Sequence, residues 1–222
     1  MKERPILFSG SMVRAILEGR KSVTRRVVKP QYSSGNWSVR PAQAPLGAGH
    51  SHDWWLPDAT QPYSALPVCP FGQSGDRLWV REAWAADAQI DSIAPRELSQ
   101  GEPIRYLAEG GVRQTGCAMI SQGKGRPSIH MPRWASRILL EITAARVERL
   151  QDITEEQAEA EGVQRPENIT DVDVWDGAER ELFNAMNQPR ARFRRLWGDI
   201  NGPHSWDANP WVWVVEFKRV TP

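Results

Sequence analysis

The sequence predicts an α+β fold, or a small mixed β-barrel decorated by helices. The chain starts and ends on short apolar stretches that are typical of strands, and three or four short helical patterns lie between other separated strands. Strands and helices do not alternate regularly, which disfavours a doubly wound βαβ protein. Because 222 residues suffice for one good-sized hydrophobic core, we predict a single domain over residues 1–222.

The first segment predicts a strand, a helix and a basic cluster in that order. Residues 5–8 (PILF) have the composition of a short strand, and the helix that follows begins at Ser9 or Ser11 as its N-cap. Its apolar side comprises Met12, Val13, Ile16 and Leu17. Gly19 is typical of a left-handed C-terminal cap. Behind it lie a hydroxyl and several cations, namely Arg20, Lys21, Ser22, Thr24, Arg25 and Arg26.

The basic cluster has two interpretations. Its guanidinium groups can form forked hydrogen bonds with phosphates or carboxylates, and its hydroxyl and amine are candidates for a nucleophile and a base. Alternatively, the cluster is a solvated basic turn.

Residues 31–70 are rich in Ser, Gly and Pro and show no helical or strand period. We predict a long loop insertion that crosses the surface, ordered in part by Trp37, Trp54 and Trp55. The insertion also contains His50, His52 and Asp53, but no further strong ligand lies nearby. A metal site is therefore not predicted, and neither is a cofactor.

A strand is predicted after the Gly75-Asp76 turn. Alternation places Arg77, Trp79 and Arg81 on one of its faces, and Glu82 and Trp84 on the other. Arg81 and Trp84 are candidates for a phosphate-binding and stacking platform, although such residues are equally often core and rim of a small barrel.

The next candidates lie in the loop SIHMPRW. His130 and Arg133 in this loop precede the predicted strand 137–150, so both are candidates for substrate binding.

The C-terminal half predicts three helices and a last strand. Thr154 and Gln157 form a capping box for the first helix, which Gly162 ends. Asp176 with Glu179 begins the second helix, and residues 211–220 form an apolar closing strand. The apolar residues of the second and third helices are Leu182, Phe183 and Met186, then Phe193, Leu196, Trp197 and Ile200.

Charge and cysteine content restrict the class of protein. The formal net charge is only +1, so any nucleic-acid site must be local. Two isolated cysteines fit a reducing cytoplasm better than a disulfide framework. No apolar run has the length of a signal peptide or a membrane span, so we expect a cytoplasmic protein without membrane partners.

The segment ILEGRKSVTRR resembles the signature of ASCH domains, which are small PUA-like β-barrels. The Gly75-Asp76 turn, the helix TEEQAEAEG and the closing strand agree with this resemblance, which covers residues 5–29, 75–84, 137–163 and 190–220. As a whole, the chain is similar to longer, prophage-associated ASCH proteins. The resemblance implies a PUA-like mixed barrel with peripheral helices and an insertion at about 31–70.

Small ASCH proteins include metal-independent amidohydrolases that remove acyl groups from the exocyclic amine of cytidine. The resemblance implies Lys21, Thr24 and Glu161 as the catalytic residues. It also leaves open a non-catalytic module that binds RNA or a modified base and, third, a ribonuclease. The partner would be a nucleoside or nucleic acid, including RNA, and the candidate substrate-binding residues are Arg20, Arg25, Arg26, Arg81, Trp84, His130 and Arg133.

The proposed chemistry depends on the pKa and the position of Lys21 and on the surroundings of Glu161. Lys21 can take a proton from the Thr24 hydroxyl if burial lowers the pKa of its amine, or it can stabilise an oxyanion as a cation. In a regular strand the two side chains would point to opposite faces, so Lys21 must lie in the turn after Gly19. Glu161 lies at the end of a helix, where a carboxylate is unfavourable unless it has a partner or a raised pKa.

Overall fold

The computed structural model of the chain describes residues 1–32, 37–47, 50–114, 116–163 and 177–220. These residues divide into two compact units, and neither unit is continuous in sequence. The first unit comprises Met1–Ser22, Gln73–Thr143 and the residues from Phe217 onward; the second comprises Val23–Gly72 and Ala144–Glu216. The expectation of a single domain stays a prediction.

Strands and α-helices of the described residues follow one another as a mixed α+β chain, which confirms the predicted class. The strands are β1 (Glu3–Leu7), β2 (Val23–Val27), β3 (Ser38–Pro41), β4 (His52–Trp55), β5 (Ser64–Ala65), β6 (Arg77–Arg81), β7 (Trp84–Ala85), β8 (Ile104–Tyr106), β9 (Val112–Arg113), β10 (Leu139–Arg149) and β11 (Trp211–Val220). The helices are α1 (Gly10–Leu17), α2 (Glu155–Ala160), α3 (Gly177–Met186) and α4 (Pro189–Asn201).

The first unit is built on β6. This strand runs parallel to β1, with Pro5 opposite Trp79, and antiparallel to the first half of β10, with Leu139 opposite Trp79. Leu78, Trp79 and Val80 of β6 are all buried, so the middle of this strand is covered on both faces. A second, smaller sheet has the order β7-β8-β9, and its apolar residues pack with those of neighbouring loops. That cluster comprises Trp84, Ala86, Leu98, Ile104, Tyr106, Met131 and Ala135.

Helix α1 ends as the sequence predicts. Its N-cap is Ser9, and Gly19 has the positive φ of a left-handed C-terminal residue, +77°. The backbone N–H groups of Arg20 and Lys21 both donate to the carbonyl oxygen of Ala15, at 2.8 and 3.0 Å. Because β2 begins only at Val23, Lys21 lies between Gly19 and the start of this strand, so the strand alternation that would place Lys21 and Thr24 on opposite faces does not apply to it.

The second unit contains the sheet order β10-β11-β2. Strand β11 pairs antiparallel with β2, so that Thr24 lies opposite Val215 and Arg26 opposite Trp213. Helices α2 and α4 contribute to the hydrophobic core of this unit. The core comprises Val23, Leu150, Ile153, Ala158, Phe193, Trp197, Trp206, Val212 and Val214.

The predicted insertion is more ordered than a loop. Residues 38–65 contain a three-stranded antiparallel sheet in the order β3-β4-β5. Trp37, Trp54 and Trp55 are buried, and Tyr32 stacks on Trp37 with ring centroids 4.6 Å apart. Aromatic packing therefore supplies the core that the Pro- and Gly-rich composition did not indicate.

Further sequence predictions concern the closure of the sheet into a barrel and the helices α3 and α4. None of the sheets that the described strands form is closed into a barrel, so the barrel is not seen in this part of the chain. In the apolar stripe of α4, Phe193 and Trp197 are buried but Ile200 is exposed. Asp176, the predicted start of α3, lies outside the described residues.

Helix α3 itself forms at residues 177–186, but Leu182 and Met186 are exposed. Among the described helices, none combines the length and the hydropathy that crossing a lipid bilayer requires.

Candidate active site

Lys21 is a buried residue of the first unit. Its exposed fraction is 3%, and its Nζ atom lies 5.5 Å from the centroid of the Phe8 ring. Phe8 in turn contacts Phe217, with ring centroids 6.2 Å apart. Lysine is rarely buried to this extent in proteins. The solvated-turn interpretation therefore does not describe Lys21.

Thr24 and Arg25 are consecutive residues of β2 in the second unit, and both are buried. Successive side chains of a strand point to opposite faces. Arg25 thus shares a face with Val23, a residue of the unit's hydrophobic core, and its guanidinium carbon lies 5.9 Å from the centroid of the Phe193 ring. Thr24 and Arg26 share the other face.

Glu161 is the C-cap residue of α2, and its position follows from local sequence signals. The helix begins at a capping box in which the Thr154 hydroxyl accepts the backbone N–H of Gln157 at 3.2 Å. It ends before Gly162, whose φ is +80°. The exposed fraction of Glu161 is 2%.

The Glu161 carboxylate has a cationic partner in Arg25. The Nη1 atom of Arg25 donates to Oε1 of Glu161 at 3.2 Å. This ion pair offsets the unfavourable helix-end position that the sequence indicated. Of the two explanations open at the sequence level, the structure therefore supplies the partner.

Arg25 and Glu161 are the buried end of a chain of ion pairs. The Nη2 atom of Arg25 donates to Oε2 of Glu148 at 3.4 Å, and Glu148 also binds Arg146, which in turn binds Glu216. We call these five residues the ion ladder. The exposed fraction of the side chain is 2% at Glu161 and 0% at Arg25 and then rises along the ladder to 41% at Glu216.

Sequence reasoning did not identify Glu148 and Arg146 as members of the site. A signal was present, because residues 146 and 148 are two apart in a predicted strand and must share a face. What the sequence could not show is that this face lies beside Arg25.

The negative charge of Glu161 also acts on the opposite face of β2. Burial lowers the pKa of Arg26, and the charge of Glu161 partly offsets this effect. The carboxylate therefore influences side chains on both faces of the strand.

Arg20 pairs with Glu18 of its own unit. Its Nε atom donates to Oε2 of Glu18 at 2.7 Å in an exposed pair. Arg20 therefore fits the interpretation of the basic cluster as a solvated turn.

Arg81, His130 and Arg133 lie in the first unit, where two of them border Trp79. The guanidinium carbons of Arg81 and Arg133 lie 4.6 and 5.9 Å from the centroid of the Trp79 ring. Arg133 also binds Glu3 at 2.9 Å, Arg81 donates to the carbonyl oxygen of Ile129, and His130 is exposed. Guanidinium groups rather than the indole therefore form the outer surface here.

Trp84 does not form the stacking platform that strand alternation suggested. It is fully buried in the apolar cluster of the first unit, and the guanidinium carbon of Arg126 lies 5.3 Å from its ring centroid. Because protein atoms cover the ring, Trp84 is a core residue.

His50 of the insertion has a partner in Asp53. Nε2 of His50 lies 2.5 Å from Oδ1 of Asp53. Within the described ranges, no cluster of three or more His, Cys, Asp or Glu side chains is arranged to hold a metal ion.

Compared with known proteins, the chain matches no protein-family model, no curated protein and no solved structure. The resemblance to ASCH domains thus depends on the residues of the sequence alone.

Proposed function

We propose that the chain is a metal-independent amidohydrolase of the ASCH type, with a PUA-like fold, that removes an acyl group from the exocyclic amine of cytidine or a related base. One observation carries this proposal. The three residues that the resemblance designates, Lys21, Thr24 and Glu161, have exposed fractions of only 3%, 2% and 2%. Burying an ionisable group such as that of Lys21 or Glu161 costs free energy. Groups that bear this cost are concentrated at functional sites.

The reaction in this proposal is hydrolysis of an amide. The hydroxyl oxygen of Thr24 attacks the carbonyl carbon of the acyl group, and its proton passes to Lys21 or Glu161. The carbon–nitrogen bond then breaks, and the leaving amine receives a proton. Water hydrolyses the resulting ester, so the products are cytidine and a carboxylic acid.

Water can also attack the amide directly. In that variant Thr24 binds the substrate, and Glu161 takes the proton from water and later gives it to the amine. Lys21 as a cation would stabilise the oxyanion in either variant.

Release of cytidine from N4-acetylcytidine tests the proposal. We expect turnover by the wild-type protein, and its loss in Lys21→Ala and Glu161→Gln at an unchanged circular dichroism spectrum. Arg20→Ala is the matched control, because Arg20 is a neighbouring cation that pairs with Glu18 at the surface. The proposal fails if several acylated cytidines are left intact by the wild-type protein. A wild-type kcat with a raised KM in Thr24→Ala would contradict the nucleophile role of Thr24 and select direct attack by water.

A second candidate function is a non-catalytic module that binds RNA or a modified base. The observation in its favour is the guanidinium surface of Arg81 and Arg133 around Trp79, with His130 nearby in sequence. This function predicts RNA binding that weakens steeply with salt and falls in Arg81→Ala and Arg133→Ala. It also predicts that Lys21→Ala leaves the affinity for RNA unchanged.

A further inference from the structure

Arg25 binds oxygen atoms on two structural elements of the second unit. Its Nη1 donates to Glu161, and its Nη2 donates to Oε1 of Gln157 at 2.7 Å and to Glu148 at 3.4 Å. Glu161 and Gln157 belong to α2 and its C-cap, whereas Glu148 belongs to β10. A guanidinium is planar, so these donors are held at fixed angles to one another.

We infer that Arg25 is a positioning residue that fixes the Glu161 carboxylate for the reaction. This inference rests on the proposed function, because positioning affects catalysis only if Glu161 takes part in it.

The hydrogen bond to Gln157 fixes Arg25 relative to helix α2. Residues 157 and 161 are four apart, so their side chains lie on the same face of the helix. The Gln157 side chain is itself held by the capping box, since its Oε1 also accepts the backbone N–H of Thr154 at 3.2 Å. The two terminal nitrogens of one guanidinium thus tie Glu161 to a side chain that the helix start already holds.

Glu148 holds the other side of Arg25. The two carboxylates that Arg25 binds carry more charge than one guanidinium can balance, and Arg146 supplies a second cation to Glu148. Arg26, whose cationic form interacts with Glu161, adds a third. The geometry of Arg25 is therefore determined from both α2 and β10.

Arg194 is a matched control outside the ion ladder. It belongs to α4, and its Nη2 atom lies 3.2 Å from Oδ1 of Asp207 in an exposed ion pair. Arg25→Lys and Arg194→Lys remove the same guanidinium fork while keeping the charge. Only the first replacement alters a group that binds Glu161.

Steady-state kinetics on N4-acetylcytidine test the inference. For Arg25→Lys we expect kcat to fall by about 10- to 100-fold with little change in KM, because a small displacement of a catalytic group costs that much. For Arg194→Lys we expect both constants to stay close to the wild-type values. Gln157→Leu, which keeps the Arg25–Glu161 ion pair, should lower kcat to an intermediate value and serves if Arg25→Lys does not fold.

Carbon-13 NMR of the Glu161 carboxyl group gives a readout that needs no turnover. The resonance is identified by its loss in Glu161→Gln, and it should shift in Arg25→Lys and Gln157→Leu but not in Arg194→Lys. If this pattern holds while the wild-type protein does not hydrolyse the substrate, the result supports the positioning of Glu161 by Arg25 and contradicts the proposed reaction. If turnover occurs but the two lysine variants lose kcat equally, or Arg25→Lys changes KM alone, the positioning inference is overturned.

Discussion

Oε1 of Glu161 accepts a hydrogen bond from Nη1 of Arg25 at 3.2 Å, although 136 positions separate the two residues in the sequence. The side chains are 2% and 0% exposed. A buried ion pair of this kind adds little net stability over an apolar pair, but removing one partner leaves the other charge buried without compensation.

Arg25→Met should therefore lower the free energy of unfolding by about 3–5 kcal/mol, as measured by urea denaturation. Arg194 is the matched control, because it lies 3.2 Å from Asp207 in an exposed ion pair. Arg194→Met should change the free energy by no more than about 0.5 kcal/mol. Equal effects of the two replacements would show that burial does not set the cost of losing the cation.

Two glycines should respond in opposite directions to alanine. Gly19 has a φ of +77° with no atom near the position of an added Cβ, so Gly19→Ala introduces only backbone strain and should destabilise the protein by about 1–2 kcal/mol. Gly198 lies within α4, and an added Cβ there also meets no atom within 4 Å. Gly198→Ala should stabilise by about 0.4–1 kcal/mol.

Thermal unfolding of the two alanine variants provides the comparison. A decrease in Tm for both would contradict the helix propensity argument at residue 198. Unchanged stability of Gly19→Ala would contradict the requirement for a left-handed residue after α1.

The capping box of α2 predicts unequal effects of its two members. Thr154→Ala removes one cap hydrogen bond and should cost about 1 kcal/mol. Gln157→Ala removes the reciprocal cap bond and also the acceptor of Arg25, so its cost in the free energy of unfolding should be larger. Urea denaturation of both variants measures the difference, and a smaller cost for Gln157→Ala would contradict a structural role of its bond to Arg25.

Asp76 predicts a pH dependence of stability. The backbone N–H of Lys2, which donates to its carboxylate at 2.7 Å, lowers the pKa of Asp76 most; Arg4 and the backbone N–H of Gln73 lower it further, against the effect of burial. A carboxyl group whose pKa is lower in the folded state stabilises the fold above its unfolded pKa of about 3.9, and this contribution is lost as the pH falls through the folded value.

Asp76→Asn should thus have a lower Tm than the wild-type protein at pH 7, and the difference should shrink below about pH 4. Asp207→Asn is the control, because its ion pair with Arg194 is exposed and should contribute little at any pH. A difference that stayed constant down to pH 2 would contradict the role of the Asp76 charge.

The elements that the sequence predicts well are those with short-range signals. Gly19 at the end of α1, the capping box of Thr154 and Gln157, and the apolar closing strand can each be identified within about ten residues. The burial of Lys21 has no such signal, because it depends on aromatic residues as distant as Phe217.

The ion ladder shows the same limit for the candidate site. The sequence marks Arg25 and Glu161 as separate candidates and leaves Glu148 as an ordinary charge, and only the fold brings the three together. Likewise, the periodicity of α3 marks Leu182 and Met186 as one apolar face without showing whether other residues cover it. In the insertion, proline and glycine obscured a small sheet whose stability comes from tryptophan packing.

The division of the chain into two interleaved units has a consequence for synthesis on the ribosome. Strand β11 supplies Trp211–Glu216 to the second unit and the residues from Phe217 to the first. Neither unit can complete its sheet until this strand has left the exit tunnel, so the chain must postpone its long-range pairings until late in translation. A stop codon shortly before Trp211 would deprive both units of a strand at once, and for this chain truncation is therefore a poorer route to a folded fragment than removal of a loop.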